Sequence, residues 1–487
     1  MRLPEPGSPL HRRLTLAAFV TLLLLPAPVA TLLAGAMLAV AAVRAARFAA
    51  RLVAPRLRTR GGPQGDIVLG VDKSGRPLRL GSDELSAHGL IVGASGAGKT
   101  TTLLTILTEE VRRGGPVVAI DLKGSPSFVN ELASAAAAAG RPMKLWTLDG
   151  GAYWNPIAHG NPTELKDKLI RTEHFTEPHY MRAAERYVQT VLQVLSAAHP
   201  DRPPTIHEVV ELMDPARLNG ILRHVDRPLR ERVQDYRSGL THDQLSAIRG
   251  LQTRLAIVTE SHIGPYLAPP TADPRADSID LRSALSGSEV VVFSLNSSRY
   301  GQLAAQIGTL AVQDLVAVSG ARLEQPRGGH PLAPAMIGID EFSGIGSDHV
   351  AALLARGRES GMRVFVATQE LVDLERASPG LRDLVLGVTA VKIFHRQEVP
   401  ESARTIARIA GTEMVWDETH QIGSGLFGGY DTGHGTRRRV ERFIVDPNEI
   451  QTLTPGQAVV VSKIRGARAR TVRITPPQRP EPPALGR

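Results

Sequence analysis

Residues 88–114 read HGLIVGASGAGKTTTLLTILTEEVRRG, and the order of the three parts of this stretch decides the fold. The middle, Gly93-x4-Gly98-Lys99-Thr100, has the spacing of a phosphate-binding P-loop. In such a loop the backbone around Gly93, Ala94, Ser95, Gly96, Ala97, Gly98, Lys99, Thr100 and Thr101 wraps the phosphates of ATP. Lys99 reaches the β- and γ-phosphates, and the Thr100 hydroxyl binds Mg²⁺. HGLIVG before the loop is a short apolar run of the buried-strand kind. After it, Leu103, Leu104, Leu107 and Val111 recur at helical spacing until Gly114 stops the run. Strand, loop and helix in that order put a helix N-terminus, with its positive dipole end, against the phosphates.

Outward from the loop, strand and helix signals alternate. DIVLGVDKSGRPLRLG (66–81) reads as a small hairpin leading into the P-loop strand. PVVAID (116–121) and MKLWTL (143–148) read as strands joined by the alanine-rich helix at 128–140. From about Asn161 to His262 the pattern turns to polar, Arg/Glu-rich helices. Strands resume at EVVVFSL (289–295), AMIGID (335–340), RVFVAT (363–368) and VTAVKIF (388–394). The simplest organisation is one α/β core with a mainly parallel sheet, interrupted by an all-α insertion. Its parts are residues 61–160 and 276–475 for the core, 161–275 for the insertion, and a Pro-rich tail at 476–487 that reads as disordered.

A P-loop needs an acidic partner at the end of another strand, and MIGIDEF (336–342) supplies two carboxylates. Asp340 is the expected Mg²⁺ partner and Glu341 the group that polarises the attacking water, so the pair points to hydrolysis. IDLKG (120–124) also ends a strand in an acid. The Asp340–Glu341 pair is preferred because it follows an apolar run and is trailed by a helix. Gln369, just past the next strand, places an amide where it could meet the γ-phosphate or the water.

Composition narrows the remaining classes. Of 487 residues 42% are hydrophobic, enough for a sizeable core, and the absence of cysteine excludes disulfides, thiolate zinc sites and cysteine nucleophiles. The net charge of +9 suggests a nucleic-acid surface until it is located. Residues 1–60 hold nine arginines against Glu5, so eight of the nine excess charges flank a membrane segment. That segment, residues 14–43, has 30 residues without charge, about 45 Å of helix against a hydrocarbon core of about 30 Å. Pro26 and Pro28 divide it, so a tight hairpin and one kinked span both satisfy the pattern. The hairpin keeps Arg12, Arg13 and the Arg44–Arg60 cluster on the cytoplasmic side. A cleaved signal peptide is the rival, but export would carry the P-loop into a compartment without ATP. With 4% aromatic residues, stacking platforms for single strands are sparse.

IDLKGSPSF, IGIDEF, ARGRESGMRVFVATQEL and VKIFHRQEVPESARTIARIAGT follow the P-loop in that order. With it they resemble the type IV secretion coupling proteins, membrane-anchored DNA-pumping ATPases of conjugation that belong with the FtsK and HerA class of translocases. The resemblance spans about residues 65–465 and implies a RecA-like P-loop NTPase core, an inner-membrane anchor with a cytoplasmic ATPase, and assembly as a homo-hexamer. It implies ATP and Mg²⁺ as cofactors, and DNA with a relaxase-type protein and secretion-channel proteins as partners. It also places Asp121 and Lys123 in the family's second-strand motif, makes Gln369 a sensor amide, and makes Arg358 an arginine finger. The PAP turn leaves almost no external loop, unlike the two full spans usual in that family. Two other functions remain open on the residues: a septal double-stranded DNA translocase of the FtsK kind, and a membrane scaffold switched by nucleotide. Glu341 argues against the latter, because a pure switch needs no water activator.

Overall fold

The computed structural model describes residues 66–477, with breaks at 173–176, 271–275, 325–332, 346, 426–427, 465 and 467–468. The expected membrane segment and most of the Pro-rich tail lie outside the described residues. Among the described residues, one helix, Ser297–Glu324, is long and apolar enough to cross a membrane, and it is largely buried in the protein core.

Twelve strands form one sheet. In chain order these are β1 (Ile67–Asp72), β2 (Pro77–Leu80), β3 (Gly89–Val92), β4 (Val117–Asp121), β5 (Met143–Thr147) and β6 (Gly150–Gly151). A small separate pair follows, β7 (Tyr153–Trp154) and β8 (Ser278–Ile279). Then come β9 (Val290–Ser294), β10 (Ala335–Asp340), β11 (Met362–Thr368) and β12 (Val391–Phe394). A two-stranded ribbon, β13 (Thr412–Gly425) and β14 (Gly428–Phe443), precedes β15 (Gln457–Ser462) and β16 (Arg470–Ile474). The sheet order is β2-β1-β16-β15-β12-β3-β11-β10-β4-β9-β5-β6. The run from β12 to β5 is parallel throughout, and both ends are finished by antiparallel strands.

Every residue of β3, β4, β9, β10, β11 and β12 is buried, as expected of parallel strands covered on both faces. That is why they read in sequence as near-continuous apolar runs rather than alternating ones, Arg363 and Lys392 being the charged exceptions inside β11 and β12. One face packs on α1 (Lys99–Arg112) and α2 (Pro126–Ala138), through Leu103, Ile106, Leu107, Phe128 and Leu132. The other packs on the long helix Ser297–Glu324 and on the helical segment, in one continuous core. At its centre Trp146, Trp154 and Phe293 meet with ring centroids 5.0–6.1 Å apart, Trp154 edge-on to both neighbours.

Two differences from the sequence reading have physical reasons. The N-terminal hairpin does not merely lead into β3. It closes one end of the main sheet, because β16 returns from the far end of the chain to pair with β1. β5 does not lie beside β4 either: β9, more than 100 residues later, inserts between them. The helical segment opens with α3 (Pro162–Ile170) and runs to Thr259. Three of its helices start with reciprocal caps, Asn161 with Glu164, Thr205 with Glu208 and Thr241 with Gln244. Each side chain satisfies a backbone N–H that would otherwise be orphaned at the helix start.

Candidate functional site: a nucleotide-binding loop with a paired carboxylate centre

The P-loop leaves β3 at the C-terminal edge of the parallel sheet. Gly96 and Gly98 take positive φ values of 73° and 115°, where a side chain would be strained. Gly93 needs to be glycine for a different reason: a Cβ there would stand 2.5 Å from the His395 Cβ. The loop is held from two sides. Ala94 N–H donates to Arg396 O at 2.8 Å beyond β12, and Gly456 N–H donates to Ala97 O at 2.9 Å before β15. α1 begins at Lys99, directing its N-terminus at the space the loop encloses.

Lys99 is 3% exposed, and its ammonium donates to Gly93 O at 2.6 Å and to Ala94 O at 3.3 Å. Burial pushes its pKa down, and the nearby Glu341 carboxylate opposes that shift. The Thr100 hydroxyl donates to Asp340 Oδ2 at 2.6 Å, joining the two side chains expected around Mg²⁺. Asp340 is fully buried at the end of β10. Burial raises its pKa, against the Thr100 hydrogen bond and the charges of Lys123 and Lys99.

Because β10 pairs with β4 in register, Asp121 lies beside Asp340. Asp121 is also fully buried and is raised to about 6, first by desolvation. Its carboxylate accepts from the N–H groups of Lys123 at 2.9 Å and Ser125 at 2.6 Å, which fixes the loop after β4. That loop aims Lys123 at Glu341: Nζ and Oε1 are 2.5 Å apart. Burial works against the Lys123 charge, but the Glu341 hydrogen bond and the neighbouring carboxylates outweigh it and raise its pKa. Glu341 itself stands at φ 58°, ψ 44°, the left-handed region a glutamate rarely adopts. Such strain is held only where the surroundings fix it, here by Lys123, by Gln369 Nε2 donating to Oε1 at 3.2 Å, and by Lys99 at 3.8 Å.

The structure thus brings Lys99, Thr100, Asp340, Glu341 and Gln369 into one centre, with Asp121 and Lys123 as its other wall. It does not bring Arg358 there. Arg358 precedes β11 at the N-terminal edge of the sheet, where its charge acts on His88 ahead of β3. The P-loop is at the opposite edge, about 20 Å away along the seven residues of β11. Its guanidinium is therefore outside reach of its own subunit's phosphates.

His395 is the site residue that sequence reasoning missed. It directly follows β12, accepts from the Thr102 hydroxyl at Nε2 (2.8 Å) and donates from Nδ1 to Gln457 O (2.9 Å), so it stitches α1 to β15 behind the P-loop. Its place beside the loop follows from β12 pairing with β3, a neighbourhood the linear sequence does not display. Burial lowers its pKa to about 4. Between pH 6.5 and about 4 the unfolded chain takes up that proton and the folded chain does not. The contribution of neutral His395 is thus full above about pH 6.5 and lost as the pH falls toward 4. An NMR titration of the His395 ring should show it neutral down to about pH 4; protonation near 6.5 in the folded protein would contradict this packing.

The described residues contain no group of three or more His, Cys, Asp or Glu arranged to hold a metal on their own. Thr100 and Asp340 fit a Mg²⁺ shared with phosphate oxygens instead, an ion that keeps several waters and takes few protein ligands.

Two family models match the chain: the helicase HerA-like C-terminal family over residues 67–149, and the TraM recognition site of TraD and TraG over residues 334–455. Among solved structures, the bacterial conjugative coupling protein TrwB in its unbound form shares the fold with a TM-score of 0.61 at 15% identity, covering 88% of this chain and 92% of that one. TrwB in complex with ADP and Mg²⁺ aligns with a TM-score of 0.60 at 15% identity, covering 87% and 91%. VirB4 of Thermoanaerobacter pseudethanolicus aligns at 0.54 and 13% identity, covering 85% and 97%. No curated protein sequence matches the chain.

Proposed function

We propose that this chain, which belongs with the type IV secretion coupling proteins and HerA-like P-loop translocases, is a membrane-anchored ATPase that spends ATP hydrolysis on moving DNA during conjugative transfer. The observation that carries the reading is the constellation of Lys99, Thr100, Asp340 and Glu341 around one loop. A nucleotide-binding scaffold needs the first three. It does not need a second carboxylate strained into place beside them.

The geometry supports the following roles. The P-loop backbone and Lys99 bind the phosphates, and Thr100 with Asp340 hold Mg²⁺, which neutralises charge on the β- and γ-oxygens. Glu341 takes the proton of the attacking water. Gln369, already on the Glu341 carboxylate, is placed to orient that water or sense the γ-phosphate. DNA with its bound relaxase-type protein is the cargo, an inner-membrane channel the destination, and a ring of six copies the working assembly.

Lys123 adds a control. Its ammonium holds Oε1 of the Glu341 carboxylate, so separating the pair would free that carboxylate to turn toward the attacking water. Lys123→Met should raise ATPase without DNA several-fold and remove most DNA stimulation; a fall in basal rate would make Lys123 a catalytic group instead. The function itself is tested by ATPase rates of the full chain in detergent with no DNA, single strands and duplex. Stimulation by either DNA supports the proposal, and preference for duplex favours a septal translocase of the FtsK kind. A rate indifferent to both would favour the nucleotide-switched scaffold.

A further inference from the structure

At the opposite half of the molecule from the P-loop, a cleft of about 280 Å³ opens between α3 and the C-terminal half of the helix Ser297–Glu324. Gln313 lines it and is 4% exposed, yet its side-chain Nε2 has no hydrogen-bond partner among the described residues. An unmet buried amide donor costs about 1–3 kcal/mol, so a donor lining a cavity marks a place for an acceptor.

The charges around it do not cancel. Lys168 and Asp314 form a buried pair at 2.8 Å. Asp314 also accepts from Trp154 Nε1, and Lys168 donates to two backbone carbonyls, so this pair is satisfied internally. Of the carboxylates on the rim, Glu164 is engaged in capping α3 and Asp167 pairs with Lys166 at 2.5 Å. Glu324 is left. Against it stand Arg171, Arg282 and Arg356, all exposed, whose guanidinium groups have no ion-pair or hydrogen-bond partner among the described residues. Three unpaired cations converge on one small cavity with a single opposing carboxylate.

We propose that this cleft binds a small polyanion of the phosphate-ester class. Guanidinium forks pair bidentately with phosphate oxygens, and a compact di-anion can engage two or three of them while accepting the Gln313 amide hydrogen. The volume of about 280 Å³ lies just below the usual range of ligand cavities, about 300–1,000 Å³, which suits a mono- or diphosphate-sized group rather than a polymer. The one aromatic ring on the lining, His159, is tied to Asp280 Oδ2 at 2.9 Å, and Trp154 beneath the cleft is fully buried. Arg356 stands two residues before Arg358 in the chain, so the ligand would rest on the segment that leads to that arginine.

The test is calorimetric titration of inorganic pyrophosphate into the full chain carrying Lys99→Ala, which removes the competing P-loop site, in Mg²⁺-free buffer. One binding site is expected. Adding Arg171→Ala and Arg356→Ala should weaken it at least tenfold, adding Gln313→Leu should weaken it several-fold, and adding Arg217→Ala, remote from the cleft, should change nothing. Absence of binding at 1 mM, or equal affinity after loss of both rim arginines, overturns the proposal. Citrate binding as tightly as pyrophosphate overturns the phosphate class. Should Gln313→Leu fail to fold, the exposed-arginine variants decide alone.

Discussion

Glu341→Gln should bind Mg-ATP as the unaltered chain does and hydrolyse it at least about 100-fold more slowly, whereas Lys99→Ala should lose productive binding. Glu341 touches Lys123, Gln369 and Lys99 but no part of the phosphate cradle's backbone. Changing its carboxylate to an amide keeps the volume and an oxygen for Gln369, and removes the group that accepts a proton together with the charge paired to Lys123. General-base catalysis contributes about 10²–10⁴ in rate, which sets the size of the loss. Lys99 differs. Its buried ammonium is the positive charge inside the loop, and it rests on Gly93 and Ala94 carbonyls until phosphates replace them. Nucleotide binding by a fluorescent ATP analogue, with single-turnover hydrolysis alongside, separates the two variants. Equal loss of binding in both would dissolve the division of roles.

The second large effect concerns Arg358. At the edge of the sheet opposite its own P-loop it cannot act in cis, so a catalytic role requires a neighbour's phosphates. A head-to-tail interface closing into a ring supplies such a neighbour to every site. Arg358→Ala should then cut hydrolysis by about 10³-fold or more, the scale of a lost arginine finger. Mixing Lys99→Ala and Arg358→Ala chains should restore part of the rate. At equal mixing about one interface in four joins an intact P-loop to an intact finger, given random assembly of a closed ring. Full activity of Arg358→Ala alone would reject the role.

How much of this was legible in the sequence depends on what each feature rests on. The P-loop is a local device, and its strand, loop and helix are fixed by contiguous residues, so HGLIVGASGAGKT could be read directly. Asp340 and Glu341 were legible because an acid pair ending an unbroken apolar run has few other meanings. The main strands were visible for the same reason: covered on both faces, they are apolar along most of their length and turn polar at the ends that reach the site.

What escaped depends on strand order. The antiparallel ends of the sheet, the place of β9 between β4 and β5, and His395 behind the P-loop arise from pairings between residues tens to hundreds apart. The ribbon of β13 and β14 was missed because Met414 and Trp416 are exposed on it. Trp416 stacks on Arg437 at 4.4 Å and Arg439 at 5.1 Å rather than in a core, so its pattern is not that of a half-buried hairpin. The capping boxes at Asn161, Thr205 and Thr241 also went unread, although each is a local N/T-x-x-E/Q signature.

The central claim is that hydrolysis at this site moves DNA. Its most direct measurement is ATP-dependent displacement of streptavidin from biotin-ended DNA by the full chain in detergent, on single strands and on duplex in parallel, with Glu341→Gln as the control. The account predicts displacement on at least one substrate with ATP and none with Glu341→Gln. Steady hydrolysis with no displacement on either substrate would contradict it.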